Sequence, residues 1–242
     1  MGRELVDTPR VVVVTGAAGG IGSAIADRLD QDGFALVLVD KRPCSRPDAV
    51  AIEGDVTSAI VMEEALSAAD ELGDLYGLVN AAAVREYRPF LEIGTEFVDH
   101  HFAINVLAPL QWMVAFARRL VDRGVGGSIV NVTSIVAHRA VRANSTYAAT
   151  KSALRSLSDG AALDLSPHGI RVNCVAPGPT RTEMLEGVLV DTAVAMALTE
   201  RIPLGRVAEA AEIAPAVSFL LSAENTFMTG STVTVDGGYS LV

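Results

Sequence analysis

The chain alternates between two spacings of apolar residues. Short runs rich in valine, isoleucine and leucine, "RVVVVTG" (10–16), "FALVLVD" (34–40), "VAIEGDV" (50–56), "LYGLVNAAA" (75–83), "GGSIVNVTS" (126–134), "GIRVNCVAPG" (169–178) and "GSTVTVDGG" (230–238), read as strands. Between them lie stretches with apolar residues three and four apart. Helices are expected from Gly20 to a stop at Gly33, over 58–73, over roughly 94–123, over 145–165 with a stop at Pro167, and through "EIAPAVSFLLS". Strands that are apolar throughout, separated by helices, indicate a parallel sheet covered on both faces. The segment between Asp40 and Asp55 is too short for a full crossover helix, so "KRPCSRPDAV" reads as loop.

No repeat, low-complexity segment or linker divides the chain. The expectation is one domain over 1–242, a Rossmann-like doubly wound α/β sheet of about seven parallel strands. Residues 1–9 read as a tail. The weakly patterned segment 181–205 reads as a mobile lid over the substrate.

Composition narrows the classes of function. Half of the 242 residues are apolar, and the net charge of −10 disfavours nucleic acid and anionic membranes as partners. Two cysteines, Cys44 and Cys174, provide no disulfide framework. With no secretion signal read in the first residues, the expected compartment is the cytoplasm. His100 and His101 have no carboxylate or cysteine at ligand spacing, so no metal site is assigned.

The first chemistry lies in "VVVVTGAAGGIG", which places Gly16, Gly20, Ile21 and Gly22 between the first strand and the first helix. Such a turn lets backbone approach a pyrophosphate, whose charge is stabilised by the amides opening the helix. Asp40 closes the second strand, where it can accept from a ribose 2′-hydroxyl and repel a 2′-phosphate. That favours NAD over NADP, although Lys41 and Arg42 follow at once and could neutralise a phosphate. Asp55 and Val56, ending the third strand, can contact the adenine; Asp55 reads equally as a strand-end cap.

In "NSTYAATKSAL" (144–154), Tyr147 and Lys151 stand one helical turn apart and share a face. Alone, that pair is unremarkable. In order, however, "TGAAGGIG", "NAAA" at 80–83, Asn105, Ser134, "YAATK", "PGPTRT" at 177–182 and the final "TVDGG" resemble the motifs of short-chain dehydrogenases/reductases from about residue 10 to the end. The resemblance implies a seven-stranded doubly wound sheet and a nicotinamide cofactor. It also implies that Tyr147 donates and accepts the proton at the substrate oxygen, with Lys151⁺ and the oxidised nicotinamide ring lowering the phenol's pKa toward neutrality. By the same resemblance Lys151 holds the nicotinamide ribose, Ser134 orients the substrate oxygen, and Asn105 fixes a water joining Lys151 to solvent. Asn80, Ala81 and Ala82 adjoin the cofactor, while Pro177, Gly178, Thr180 and Thr182 bend across the nicotinamide and hold its carboxamide. Relatives pair the helices around 94–120 and 145–165, so a homotetramer is implied.

One departure stands out. The family's usual Asn-Asn-Ala-Gly is here Asn80-Ala81-Ala82-Ala83, and an alanine at 83 makes the site slightly tighter or requires a negative φ there.

The expected reaction is hydride transfer between NAD(H) and a secondary alcohol or ketone. Two alternatives stay open: an NADPH-dependent 3-oxoacyl-thioester reductase, and a dinucleotide-binding regulator without turnover. Arg85, Arg88, His138, Arg139 and Arg142 fall in substrate-facing stretches. They read either as solvated rim residues or as receivers of an anionic substrate.

Overall fold

Four consecutive valines, Val11–Val14, are fully buried and form the centre of the structure, a computed structural model that describes residues 8–44, 46–190 and 192–242. They belong to β1 (Arg10–Thr15), and their alternation supplies two cores. Val11 and Val13 pack with Trp112, Phe116 and Ile129 on one face; Val12 and Val14 pack with Ile25, Leu29 and Val217 on the other.

Around β1 the chain places α1 (Gly20–Gln31), β2 (Ala35–Asp40), β3 (Val50–Glu53), α2 (Ala59–Leu72) and β4 (Asp74–Asn80). Then follow α3 (Thr95–Phe102), α4 (Ala108–Arg123), β5 (Gly127–Val132), α5 (Ser145–Leu165) and β6 (Ile170–Pro177). The remainder comprises β7 (Thr180–Arg181), α6 (Glu183–Leu189), α7 (Thr192–Glu200), β8 (Ala208–Glu209), α8 (Ala214–Leu221) and β9 (Thr232–Val235). The main sheet has seven strands, all parallel, in the order β3-β2-β1-β4-β5-β6-β9. The chain winds outward from β1 in one direction, then returns to β4 and winds in the other. A crevice opens where the direction reverses, at the carboxyl ends of β1 and β4.

Three features depart from the sequence expectation. The single long helix over 94–123 is interrupted by a π-helical turn, Ala103–Leu107, which carries Asn105. Segment 181–205 holds two short helices, α6 and α7. Finally, β7 and β8 form a separate two-stranded parallel ribbon that ties this segment to the chain before α8. The 41–49 connection carries no helix or strand among its described residues, as expected. Of the expected tail, residues 1–7 lie outside the described residues, while the Pro9 carbonyl accepts from the Asp74 amide beside β1. Among the described residues no helix is long and apolar enough to cross a membrane.

Candidate active site

The crevice is a cleft of about 990 Å³ that runs from the glycine turn to Tyr147. Its floor depends on two missing side chains. Gly16 has φ +70°, and a Cβ there would lie 2.5 Å from the Ala82 nitrogen; a Cβ on Gly22 would lie 2.0 Å from the Gly16 carbonyl oxygen. Only glycine lets β1, α1 and the end of β4 converge so closely. The N-cap of α1 is Gly19, which has no side chain to satisfy the opening amides. Those donors and the helix dipole suit a phosphate group, so the turn fits a dinucleotide.

At this end every charge has a partner. The Asp40 carboxylate accepts from the amides of Ala18 and Arg42, both at 3.0 Å. Arg42 reaches Glu183 of α6 at 2.7 Å and donates to the Ala18 carbonyl. Lys41 pairs with Asp55 at 2.8 Å. Partial burial works against the Asp55 carboxylate, but hydrogen bonds from Lys41 and Thr57 outweigh it and hold its pKa at about 2. Asp55 thus caps the turn after β3 and also forms, with Val56, part of the cleft wall.

The other end is built on α5. Tyr147 and Lys151 share its buried face and are 7 % and 2 % exposed. Ser134 sits in extended backbone after β5, its hydroxyl accepting from the Val136 amide. Lys151 Nζ donates to the Val132 carbonyl at 2.8 Å and lies over the Tyr147 ring, 5.7 Å from its centroid. Burial dominates the phenol and raises its pKa above the ordinary tyrosine value. The opposing influences are the Arg85 guanidinium, 5.4 Å from the ring centroid, and the Ser134 hydroxyl. Burial likewise lowers the Lys151 pKa, to about 8. The phenol is therefore a protonated acid at neutral pH in this geometry.

Most of the expected site residues line this cleft: Gly16, Gly20, Ile21, Gly22, Asp40, Asp55, Val56, Ala81, Ala82, Ser134, Tyr147, Lys151, Pro177, Gly178, Thr180 and Thr182. Two stand behind the wall. Asn80 donates to the Asn131 side chain at 2.8 Å, joining β4 to β5 beneath the cleft. Asn105 accepts from the Val84 amide and donates to the Val84 carbonyl and the Thr150 hydroxyl. Through these bonds it clamps the loop after β4 to α5. Ala83 needs no left-handed backbone, since Ala143 is the one non-glycine residue with positive φ among those described.

Of the five basic residues expected to face the substrate, only Arg85 lines the cleft. Arg88 covers the Phe97 ring, and Arg139 donates to the Tyr239 carbonyl. Arg201 and Tyr239, which the sequence reading missed, both line it. Tyr239 follows the Gly237-Gly238 pair, whose positive φ values turn the chain back into the apolar cluster around Tyr147. That glycine pair was the available signal. His101 is buried with Nδ1 against the Phe97 carbonyl, and no metal-binding group of three or more His, Cys, Asp or Glu exists among the described residues.

The chain is similar to known proteins along most of its length. A family model described as enoyl-(acyl carrier protein) reductase matches residues 16–240. L-xylulose reductase from Homo sapiens is 39 % identical over 246 residues, covering 98 % of both chains. Diacetyl reductase [(S)-acetoin forming] from Staphylococcus epidermidis is 36 % identical over 251 residues, covering 95 % of this chain and 98 % of that one. The crystal structure of a gluconate 5-dehydrogenase from Burkholderia cenocepacia, in complex with NADP and tartrate, superposes with a TM-score of 0.90. It is 29 % identical and covers 98 % of this chain and 97 % of its own.

Proposed function

This chain belongs to the short-chain dehydrogenase/reductase family, and from that premise we propose how its residues divide the work of an oxidoreductase acting on CH–OH groups. Its cofactor is a nicotinamide dinucleotide, which supplies or accepts the hydride when bound. Gly16, Gly20, Ile21 and Gly22 would hold the pyrophosphate, Asp40 the adenosine ribose, and Asp55 and Val56 the adenine. Ala81, Ala82, Pro177, Gly178, Thr180 and Thr182 would frame the nicotinamide, with Lys151 donating to its ribose.

Tyr147 gives its proton to the substrate oxygen in reduction and takes it back in oxidation, while Ser134 donates to that oxygen and orients it. The observation that carries this reading is the convergence of a buried, protonated phenol, the Ser134 hydroxyl and the Lys151 ammonium on the wall of a cleft that begins at an uncapped helix N-terminus. Asn80 and Asn105 act from behind, as positioning residues. In the assembled enzyme, a homotetramer of the reducing cytoplasm, exposed Leu107, Val114, Val121 and Leu163 on α4 and α5 and the turn before α4 offer apolar surface for pairing.

Asp40 supports NAD(H), because a 2′-phosphate would meet its negative charge. NADP(H) is the second reading, favoured by Lys41 and Arg42 at the same mouth: Arg42 would exchange Glu183 for the phosphate. That reading would accompany reduction of 3-oxoacyl thioesters. A panel of ketones, hydroxyketones, sugars, cyclic diols and acyl thioesters, each followed at 340 nm with NADH and with NADPH, tests the proposal. Turnover of a secondary alcohol or ketone with NADH favoured is expected. Dinucleotide binding without turnover of any member would identify a regulator instead.

A further inference from the structure

Charge is unevenly distributed along the cleft. The carboxylates that line it, Asp40, Asp55 and Glu183, all belong to the nucleotide end and are engaged by Lys41 and Arg42. The catalytic end holds Arg85, Lys151 and Arg201, with no carboxylate among the described lining residues. This concentration of positive charge occurs in a protein of net charge −10.

Lys151 is tied to the Val132 carbonyl, but the two arginines have no acid. Arg85 bonds the Tyr87 hydroxyl and covers the rings of Tyr87 and Tyr147, and its buried Nε has no hydrogen-bond partner. Arg201 rests over the Tyr239 ring at 5.0 Å. Neither forms an ion pair among the described residues. A guanidinium whose donors are partly desolvated and unpaired beside the reacting oxygen favours a planar anion able to accept two parallel hydrogen bonds. Next to these arginines the walls are apolar: Val136, Val141, Leu185, Leu198 and Tyr239 surround Tyr147. Asn105 fixes the base of the Arg85 loop through Val84, so the guanidinium is held by a structured support.

We propose that the substrate is an oxo or hydroxy acid with an apolar body, its carboxylate held by Arg85 with help from Arg201 beside the oxygen that Tyr147 serves. This rests on the reading of Tyr147 given above. The bound carboxylate also neutralises Arg85, the cation that opposes burial at the phenol, so an acidic substrate keeps Tyr147 in its proton-donating form.

The test uses oxo acids paired with their own methyl esters, which share the ketone and differ in charge. Wild type should favour the acid over the ester in kcat/KM by about tenfold or more, and Arg85→Met should lower that ratio by about tenfold or more, with Arg85→Lys in between. Arg201→Gln should lower it by a smaller factor. A second readout needs no turnover: succinate titrated calorimetrically into the NAD⁺-saturated protein should bind wild type, and about tenfold more weakly in Arg85→Met. Equal use of acids and esters in wild type, or a ratio that Arg85→Met leaves unchanged, overturns the anion site and leaves the proposed function standing. Succinate binding without turnover of any ketone leaves the anion site standing and removes the function. Binding of inorganic phosphate in place of succinate would overturn the carboxylate assignment.

Discussion

The two ends of the cleft solve opposite electrostatic problems. At the nucleotide end, Asp40, Lys41, Arg42, Asp55 and Glu183 are partly exposed and neutralise one another. These are cheap interactions, and at Asp55 they move the carboxylate further into its charged range. At the catalytic end, burial pushes Tyr147 up and Lys151 down, each against its charged form. The first end is a binding surface assembled from backbone and paired charge. The second stores unfavourable desolvation that only a ligand can relieve. A fold can afford such a cost where it gains reactivity.

The sharpest way to break this contrast is Lys151→Met. Turnover should fall by about a hundredfold or more, since the group that holds the cofactor and supports the phenol is gone. Stability at pH 7 should nevertheless rise. The sign follows from a folded-state pKa of about 8 against an ordinary 10.5: the burial penalty is fully present below pH 8 and relieved as pH climbs to 10.5, because the unfolded chain binds the proton that the folded one has released. Thermal midpoints measured from pH 7 to 10.5 should therefore converge between the two proteins. Parallel curves would show that Lys151 carries no such penalty.

Gly22→Ala attacks the other end. Its Cβ would overlap the Gly16 carbonyl, so a destabilisation of about 1–3 kcal/mol is expected, together with weaker dinucleotide binding by calorimetry. Asp40→Asn should act more narrowly, shifting the NADPH-to-NADH preference by about tenfold toward NADPH, read from the ratio of kcat/KM values. The smallest effect belongs to Glu183→Gln. It removes a partly exposed ion pair with Arg42, so stability should change by less than about 1 kcal/mol in denaturant titration.

Sequence patterning revealed the nucleotide end more fully than the catalytic one, for physical reasons. Glycine spacing at 16, 20 and 22 reports backbone geometry directly, and the seven apolar runs map onto the seven strands of the main sheet. The π turn at 103–107 escaped because its apolar residues fit an ordinary helix; the extra residue shows only in hydrogen-bond register. The two-residue β7–β8 ribbon escaped because its pairing is non-local and too short to leave a pattern. Tyr147 and Lys151 were visible as a pair, but helical spacing says nothing about where an ammonium points. Its partner, the Val132 carbonyl, comes from another element. Arg201 lies in the weakly patterned 181–205 segment, so only the folded chain brings it to the cleft.

The most direct measurement compares dinucleotide affinity and turnover in Tyr147→Phe, which deletes one hydroxyl and keeps the buried ring. Proton transfer by the phenol predicts a dissociation constant within about threefold of wild type and turnover reduced by about a hundredfold or more at every pH. Turnover that survives the substitution would contradict it.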